Sequence, residues 1–552
     1  MKSVAAELVD VLRDFGVDTV FGVPGGAISS MYDALLDAPD VRVVTTTHET
    51  NAGFMAIGYA LATGRPGVVL TTAGPGITNA LTGLASAFYE GVPVVHIAGE
   101  VPRTAFGRGA LQEGSASGFD SVSIVRHVTK MATMLARPGS AASVLRKALL
   151  TSFSGKRGPV FVSLPVDVAS TKLEPQPIHG NVRSSFEIDG PSARHAMDLL
   201  ESATRPLLLA GAGTRDQTSR RALLRLAEHI GAPVAVTTKG KGVFPEDHPL
   251  YLGLMGFGGH SSVLDYLEGG VDVLLAIGSG LNDFTTNAWT PLLRAKKAFV
   301  QIDIDSAQLG RNYSIDLGLV GPVDAVIGRM LEYRSEDRVP LATGVTGIRI
   351  DPVEPSPKGM LTTAEIALTM NAVCPSDAVF TADMGEHLGF ALHYLRVRAE
   401  GDFLTCLGFG SMGSGIVAAI GSQFGAPHRH TFAMCGDGGF LMYGNELVTA
   451  VKHNVKTTFV VINDSRLNMV HLGMMEQYGR CPDFTHPRVD FAAMAHSMGA
   501  EGMSITSRAE LESGLRQEVN GPLVLDVAID PDVRMRANQR VAALREFALE
   551  PR

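Results

Sequence analysis

Short apolar runs alternate with amphipathic stretches along most of the chain. Near the start, apolar positions at helical spacing predict helices over 4–15, 28–36 and 50–63. Between and after them, compact apolar runs predict strands over 19–22, 41–46, 67–72 and 92–98. Further runs at 206–213, 233–236, 273–278 and 299–303 read as buried parallel strands of a second unit. Toward the C-terminal end, 431–434 predicts a strand ending at Gly436, 441–453 a helix, and 456–462 the next strand. Two Pro-rich, polar stretches, 165–192 and 335–359, read as linkers. The expected fold class is α/β, with three doubly wound parallel-sheet domains at 1–167, 190–335 and 360–540.

Composition narrows the picture. At 552 residues the chain exceeds one core, and about 150 residues per domain suggests three or four units. Hydrophobic residues make up 45% and aromatics only 6%, with 61 glycines, which suits tightly packed α/β layers. The net charge is −9 and no long basic run occurs, so neither nucleic acid nor an anionic membrane is an expected partner. Cys374, Cys406, Cys435 and Cys481 show no CxxC spacing, so neither a zinc site nor a disulfide framework is expected. A reduced, cytoplasmic setting fits. The N-terminus enters its first helix directly, without a signal-type core, and no uncharged apolar run is long enough to span a bilayer.

The most informative chemistry lies at two strand ends. Cys435-Gly436-Asp437-Gly438-Gly439-Phe440 closes one predicted strand, and Asn463-Asp464-Ser465-Arg466 closes the next. Asp437 and Asp464 stand 27 positions apart. A right-handed βαβ crossover brings both to one sheet edge, where open α/β sheets bind ligands. Two hard oxygen ligands suit Mg²⁺, which completes its shell with phosphate oxygens and water. The glycines let backbone N–H groups approach a phosphate. Gly-Asp-Gly alone is compatible with an ordinary βα turn; the second aspartate in register favours the clamp. Earlier in the chain, Glu49 closes the polar run 45–49 ahead of a small-residue helix. Alone it reads as a charge complementing the helix dipole. The loops 22–26 and 73–79 break from the same predicted sheet, so three loops converge on one edge.

With these residues in place the chain resembles thiamine diphosphate-dependent enzymes, in particular the acetolactate synthase-like group. The resemblance covers essentially the whole chain. It rests on Phe21-Gly-Val-Pro-Gly-Gly26, His48-Glu49, Gly74-Pro-Gly-Ile-Thr-Asn79, Gly240-Lys-Gly-Val-Phe-Pro-Glu-Asp-His-Pro249, Gly410-Ser-Met412-Gly413 and Gly436-Asp-Gly438. It implies thiamine diphosphate and Mg²⁺ as cofactors. The first unit would bind the aminopyrimidine and the third the diphosphate, from different subunits, so a homodimer or homotetramer is expected. Glu49 would hydrogen-bond the pyrimidine ring nitrogen and favour the imino tautomer, letting the cofactor take its own C2 proton. Met412 would hold the cofactor folded. Asp437, Asp464 and the Arg466 carbonyl would ligate the metal. Gly436, Gly438 and Gly439, with Glu386 and His387, would meet the diphosphate. Gly25, Gly26, Pro75, Asn79, Gly410 and Met469 complete the expected cofactor contacts. Gln112 would act in the substrate region.

Several positions depart from the group's pattern. Asp464 replaces the usual Asn, adding negative charge beside a diphosphate, and Leu111 replaces a Phe beside Gln112. No His-His pair of the kind that many related decarboxylases use as a proton donor occurs in the chain. The donor intermediate should therefore last long enough to attack a second carbonyl. Gly473 stands where the synthases carry a Trp in the acceptor pocket, which leaves room for a larger acceptor. The middle unit holds FAD in the synthases. Here Gly211, Gly213 and 302–305 suit a nucleotide-binding sheet, but 278–283 lacks the expected Arg and Pro322 replaces an acid. Bound FAD and a fold kept for packing alone both stay open. The expected activity is decarboxylation of a 2-ketoacid, pyruvate foremost, with carboligation to an acceptor carbonyl; small-molecule ketoacids and carbonyls are thus the expected partners. The rivals are a non-ligating decarboxylase or flavin-linked oxidase, and a catalytically silent binding or regulatory homologue. The sequence does not say whether a regulatory subunit is attached.

Overall fold

The computed structural model describes residues 1–174, 186–341 and 347–535. These residues form three six-stranded sheets, each entirely parallel. The first runs in the order Arg42–Thr45, Thr19–Gly22, Gly67–Thr71, Val94–Glu100, Val160–Pro165, Met131–Met134. The second runs Tyr251–Met255, Val234–Thr237, Leu207–Ala210, Val273–Ile277, Ala298–Asp303, Leu317–Val320. The third runs Asp402–Leu404, Val379–Ala382, Thr431–Gly436, Thr457–Asn463, Leu523–Ala528, Glu501–Ile505. Central strands such as Val160–Pro165 and Thr457–Asn463 are buried along their whole length. Helices cover both faces, which is why these strands read as continuous apolar runs.

In the third sheet, Gly436 lies opposite Ile462 in parallel register. Asp437 and Asp464 therefore leave the sheet at the same edge, from adjacent strands. The segment after Gly436 differs from expectation. One helix over 441–453 was the sequence expectation. The structure instead shows a helix Asp437–Tyr443, a 3-10 turn Gly444–Glu446 and a helix Leu447–Lys452. The glycines beside Asp437 permit helical turning immediately after the strand. The break places Glu446, fully buried, on the first unit. Its carboxylate accepts the Thr47 backbone N–H (3.2 Å to either oxygen) and bonds from the Thr47 hydroxyl and Asn51 amide.

The first expected linker also begins with structure. Val166–Ala169 is helical, and Lys172–Leu173 pairs antiparallel with Lys2–Ser3. The linker segments 175–185 and 342–346, and the end of the third unit from 536 to 540, fall outside the described residues.

Two small-residue helices dock the first unit on the third. In Glu49–Thr63, the residues Glu49 to Ala60 are all buried, and Ser414–Gly425 is buried nearly throughout. A Cβ on Gly58 would lie 2.0 Å from the Ala418 carbonyl oxygen, and one on Gly421 2.1 Å from the Met55 carbonyl oxygen. Only glycine permits this backbone approach. Among the described residues, no helix is long and apolar enough to cross a membrane.

Candidate active site

At the edge of the third sheet, Asp437 is 3% exposed and organises the loop that carries Asp464. Asp437 Oδ2 accepts the backbone N–H of Asp464 (3.1 Å) and of Ser465 (2.6 Å), and Oδ1 accepts that of Gly438 (2.7 Å). Asp464 Oδ1 accepts the Arg466 backbone N–H at 3.1 Å. The Arg466 carbonyl accepts from the Asn468 N–H at 2.8 Å and keeps a second lone pair. Ser465 adopts a left-handed φ of 58°, a strained conformation for a residue with a side chain, between the two aspartates' loops.

Arg466 and the His486 ring, whose Nε2 lies 3.4 Å from Asp437 Oδ2, adjoin this edge but do not offset the burial of its two carboxylates. Burial, and then the charge of Asp437, pushes the Asp464 carboxyl up to about 7. Burial also raises Asp437. A divalent cation would relieve both effects. Among the described residues, no cluster of three or more His, Cys, Asp or Glu side chains forms a metal cage. A pair of carboxylates with a backbone carbonyl is instead the sparse set that suits Mg²⁺ sharing its shell with phosphate.

The surrounding groups form a cradle. His387 lies over the turn: a Cβ on Gly436 would meet its Cε1 at 3.0 Å, and one on Gly385 at 2.4 Å. Burial pushes His387 down to about 4, so the ring is neutral at physiological pH, and its Nε2 has no hydrogen-bond partner. Arg466 Nε and Asn468 Oδ1 are likewise buried without partners. Such orphaned polar atoms at one junction fit a polar ligand. Glu386 is pushed up to about 7, chiefly by burial, and accepts from Asn468 Nδ2 at 2.8 Å. Met412 reaches over the turn, its Cε 3.2 Å from a Cβ built on Gly438. Gly410 and Gly413 flank it with φ of 73° and 80°. Met469 packs, half-buried, on the core of the third unit.

In the first unit, Glu49 is 8% exposed and opens the helix Glu49–Thr63. Its Oε2 accepts from Asn79 Nδ2 at 3.0 Å, and the Thr50 hydroxyl donates to the Asn79 carbonyl at 2.6 Å. Pro75 begins the helix Pro75–Glu90 that carries Asn79. A Cβ on Gly25 would lie 2.5 Å from Thr72, so the loops 22–26 and 72–79 touch, while Gly26 faces open space. Gln112 is exposed, has a left-handed φ of 64°, and stacks on the Gly74 loop: a Cβ on Gly74 would lie 2.9 Å from its side chain. Among the described residues, no hydrogen bond or ion pair joins Glu49 or Asn79 to Asp437, Asp464 or Met412.

Three residues of these loops escaped the sequence reading. Asp383 is buried, accepts from Gly413 N (2.7 Å) and Gly415 N (3.0 Å), and is pushed up by burial to about 6. It ends an apolar strand just before Gly385, the same pattern that marks Asp437. Asn468 bridges Glu386 and the Pro531 carbonyl (3.1 Å). Glu446 ties the third unit to Thr47 and Asn51, and no local pattern announces a contact nearly 400 residues away.

The middle sheet reverses its order between Leu207–Ala210 and Val273–Ile277, where such sheets bind nucleotides. There, Gly211 N and Gly213 N donate to the Ile277 (2.8 Å) and Gly278 (3.0 Å) carbonyls. Asp216 caps the next helix, Gln217–Ile230, accepting from Ser219 N at 2.9 Å. Phe284 packs on Phe257 with ring centroids 4.7 Å apart. The Gly211 and Gly213 N–H groups are thus already taken and do not offer a pyrophosphate cradle.

Family comparisons agree with this layout. The model described as "Thiamine pyrophosphate enzyme, N-terminal TPP binding domain" matches residues 2–121, that of the central domain 193–330, and that of the C-terminal TPP binding domain 383–527. The acetolactate synthase large subunit of Parasynechococcus marenigrum is 33% identical over 97% of this chain and 88% of its own length. A probable acetolactate synthase large subunit of Methanocaldococcus jannaschii is 31% identical over 96% of this chain and 92% of its own. An acetolactate synthase of Arthrospira platensis is 31% identical over 96% and 94% respectively. The chain belongs to the thiamine pyrophosphate enzyme family and is similar over nearly its whole length to acetolactate synthase large subunits.

Proposed function

We propose that this protein is a thiamine diphosphate- and Mg²⁺-dependent carboligase that decarboxylates a 2-ketoacid, pyruvate foremost, and joins the remaining fragment to an acceptor carbonyl. The observation that carries the reading is the pairing of Asp437 and Asp464 at one sheet edge, over a glycine turn and beneath Met412. When bound, thiamine diphosphate supplies the nucleophilic carbon and the electron sink for decarboxylation. Asp437, Asp464 and the Arg466 carbonyl would hold the cation, while Gly436, Gly438, Gly439 and His387 would receive the diphosphate. Glu49 would hold a proton at the pyrimidine ring, with Asn79 fixing its carboxylate. Gly25, Gly26 and Pro75 would border that ring, and Met412 would support the fold of the cofactor. Gln112 would meet the substrate. The overall reaction is redox-neutral and no step needs a flavin.

The units 1–167, 190–335 and 360–540 serve as the working domain division. In line with the family resemblance, the proposed site takes Glu49 from one copy and Asp437 from another, in a homodimer or homotetramer. Leu441 (46% exposed), Met442 (53%), Val470 (52%) and Tyr478 (60%) flank the two aspartates and support such an interface. Three buried free cysteines fit a reducing compartment, so the cytoplasm is the proposed setting.

The deciding experiment incubates the protein with pyruvate, thiamine diphosphate, Mg²⁺ and a panel of aldehydes and ketoacids. Ligated product is expected. Acetaldehyde alone would overturn carboligation, acetate would point to an oxidase, and no calorimetric binding of millimolar cofactor would leave a silent homologue. Glu49→Gln should keep the cofactor bound while slowing proton/deuterium exchange at its C2 by about 10²–10⁴-fold.

A further inference from the structure

Met412 rides on the loop 405–413, between the strand Asp402–Leu404 and the helix Ser414–Gly425. One end of that loop is fixed from within its own unit: Asp383 accepts from Gly413 N and Gly415 N. The other end is fixed by the first unit. Gly408 N donates to Glu90 Oε1, and Glu90 is the last residue of the helix Pro75–Glu90. The second carboxylate oxygen of Glu90 lies 2.8 Å from Lys239 Nζ of the middle unit, and the two side chains are only 5% and 20% exposed. The Tyr89 ring sits against Phe409 at 5.6 Å between centroids. Arg215, also of the middle unit, donates to the Phe403 carbonyl (2.9 Å) and the Lys239 carbonyl (2.8 Å). A Cβ on Gly408 would lie 2.9 Å from Glu90 Oε1 and 3.0 Å from Lys239 Nζ, so a side chain there would push the anchoring pair aside. All three units therefore meet on the residues that lead into Met412.

The helix Pro75–Glu90 joins this junction to the other half of the site. Its 16 residues span about 24 Å at 1.5 Å per residue. Asn79, in its second turn, holds Glu49; Glu90, at its end, holds the Met412 loop. A low-exposure carboxylate paired with one ammonium and one backbone N–H is a defined anchor, unlike a solvated surface pair.

We infer that Glu90, with Lys239 as its counter-ion, is a positioning residue: it fixes the loop 405–413 so that Met412 holds the bound cofactor in its reactive shape. The inference rests on the cofactor reading above. The structural alternative is a Glu90 that only fastens three units together.

The test uses the full-length protein with saturating thiamine diphosphate and Mg²⁺. C2 proton/deuterium exchange, cofactor affinity and thermal midpoint are measured for Glu90→Ala, Glu90→Gln, Gly408→Ala and Glu49→Gln. Glu90→Ala and Gly408→Ala attack the anchor from its two sides and should slow exchange by about tenfold or more while affinity changes by about twofold or less. Glu90→Gln keeps an oxygen for Gly408 N but sets its amide nitrogen against the Lys239 ammonium, and should recover part of the exchange rate that Glu90→Ala loses. Wild-type exchange in Gly408→Ala, or exchange that falls only in step with the thermal midpoint in all variants, would overturn the positioning role. Should Glu90→Ala fail to fold, Gly408→Ala with Glu90→Gln decides. Glu49→Gln separates the two ideas: slowed exchange there with normal exchange in the anchor variants defeats Glu90 alone, whereas unchanged exchange in Glu49→Gln defeats the cofactor reading itself.

Discussion

Single positions carry much of the argument, and two of them can be tested alone. Asp383 is a fully enclosed carboxylate bonded, among the described residues, by backbone N–H groups alone, and its pKa is raised from 3.8 to about 6, chiefly by burial. A raised folded pKa means that the folded state prefers the protonated acid. The associated stability is fully present below the ordinary carboxylate range and is lost as pH rises through about 6. Asp383→Asn removes that titration. Denaturant midpoints compared between pH 4 and 7 should show the variant's pH slope flattened relative to the wild type; parallel curves would contradict the assignment. Gly473 is the proposed specificity position. A Cβ there meets nothing within 4 Å, so the position opens onto free space. Gly473→Trp should fill that space and shift preference toward short 2-ketoacid acceptors by about 1–3 kcal/mol, read as a ratio of kcat/KM values.

At the level of elements, the sequence revealed strands better than junctions. The strand Thr19–Gly22 matches its expected bounds, and Thr431–Gly436 beside Thr457–Asn463 has the expected pairing, because fully buried strands leave an uninterrupted apolar signature. The helix after Gly436 was misjudged because its break at Gly444–Glu446 answers to Thr47 and Asn51, which local periodicity cannot register. Glu90 was missed for the same reason, because it acts on a loop far from it in sequence, whereas Asp383 was missed although it ends a strand in the pattern that marks Asp437. The reverse error was also possible in the middle unit. Gly211 and Gly213 read as a nucleotide loop, but their N–H groups bond to the neighbouring strand's exit and Asp216 occupies the helix start. The protein should therefore purify colourless, and titration with FAD should leave flavin fluorescence unchanged. A yellow protein with stoichiometric flavin would show that this edge opens.

For the whole molecule the question is which copy of the third unit each Glu49 serves. The helices Glu49–Thr63 and Ser414–Gly425 lock the first and third units of one chain together, with glycine against backbone on both sides. Glu446 and Glu90 add two further ties between those units. Yet none of these contacts brings Glu49 onto Asp437. On the proposed reading the partner's third unit supplies the second half of each site, as two-fold symmetry allows in an isologous dimer. Glu49→Gln damages only the first-unit half of a site, and Asp437→Ala only the third-unit half. Each variant alone should be inactive. Co-expressed in one cell, mixed dimers would carry one doubly damaged site and one intact site, and a measurable fraction of wild-type carboligation should return. A site closed within each chain predicts no recovery at any ratio of the two variants. Sedimentation of the same samples supplies the control, because recovery without a dimer would contradict the shared site as firmly as a dimer without recovery.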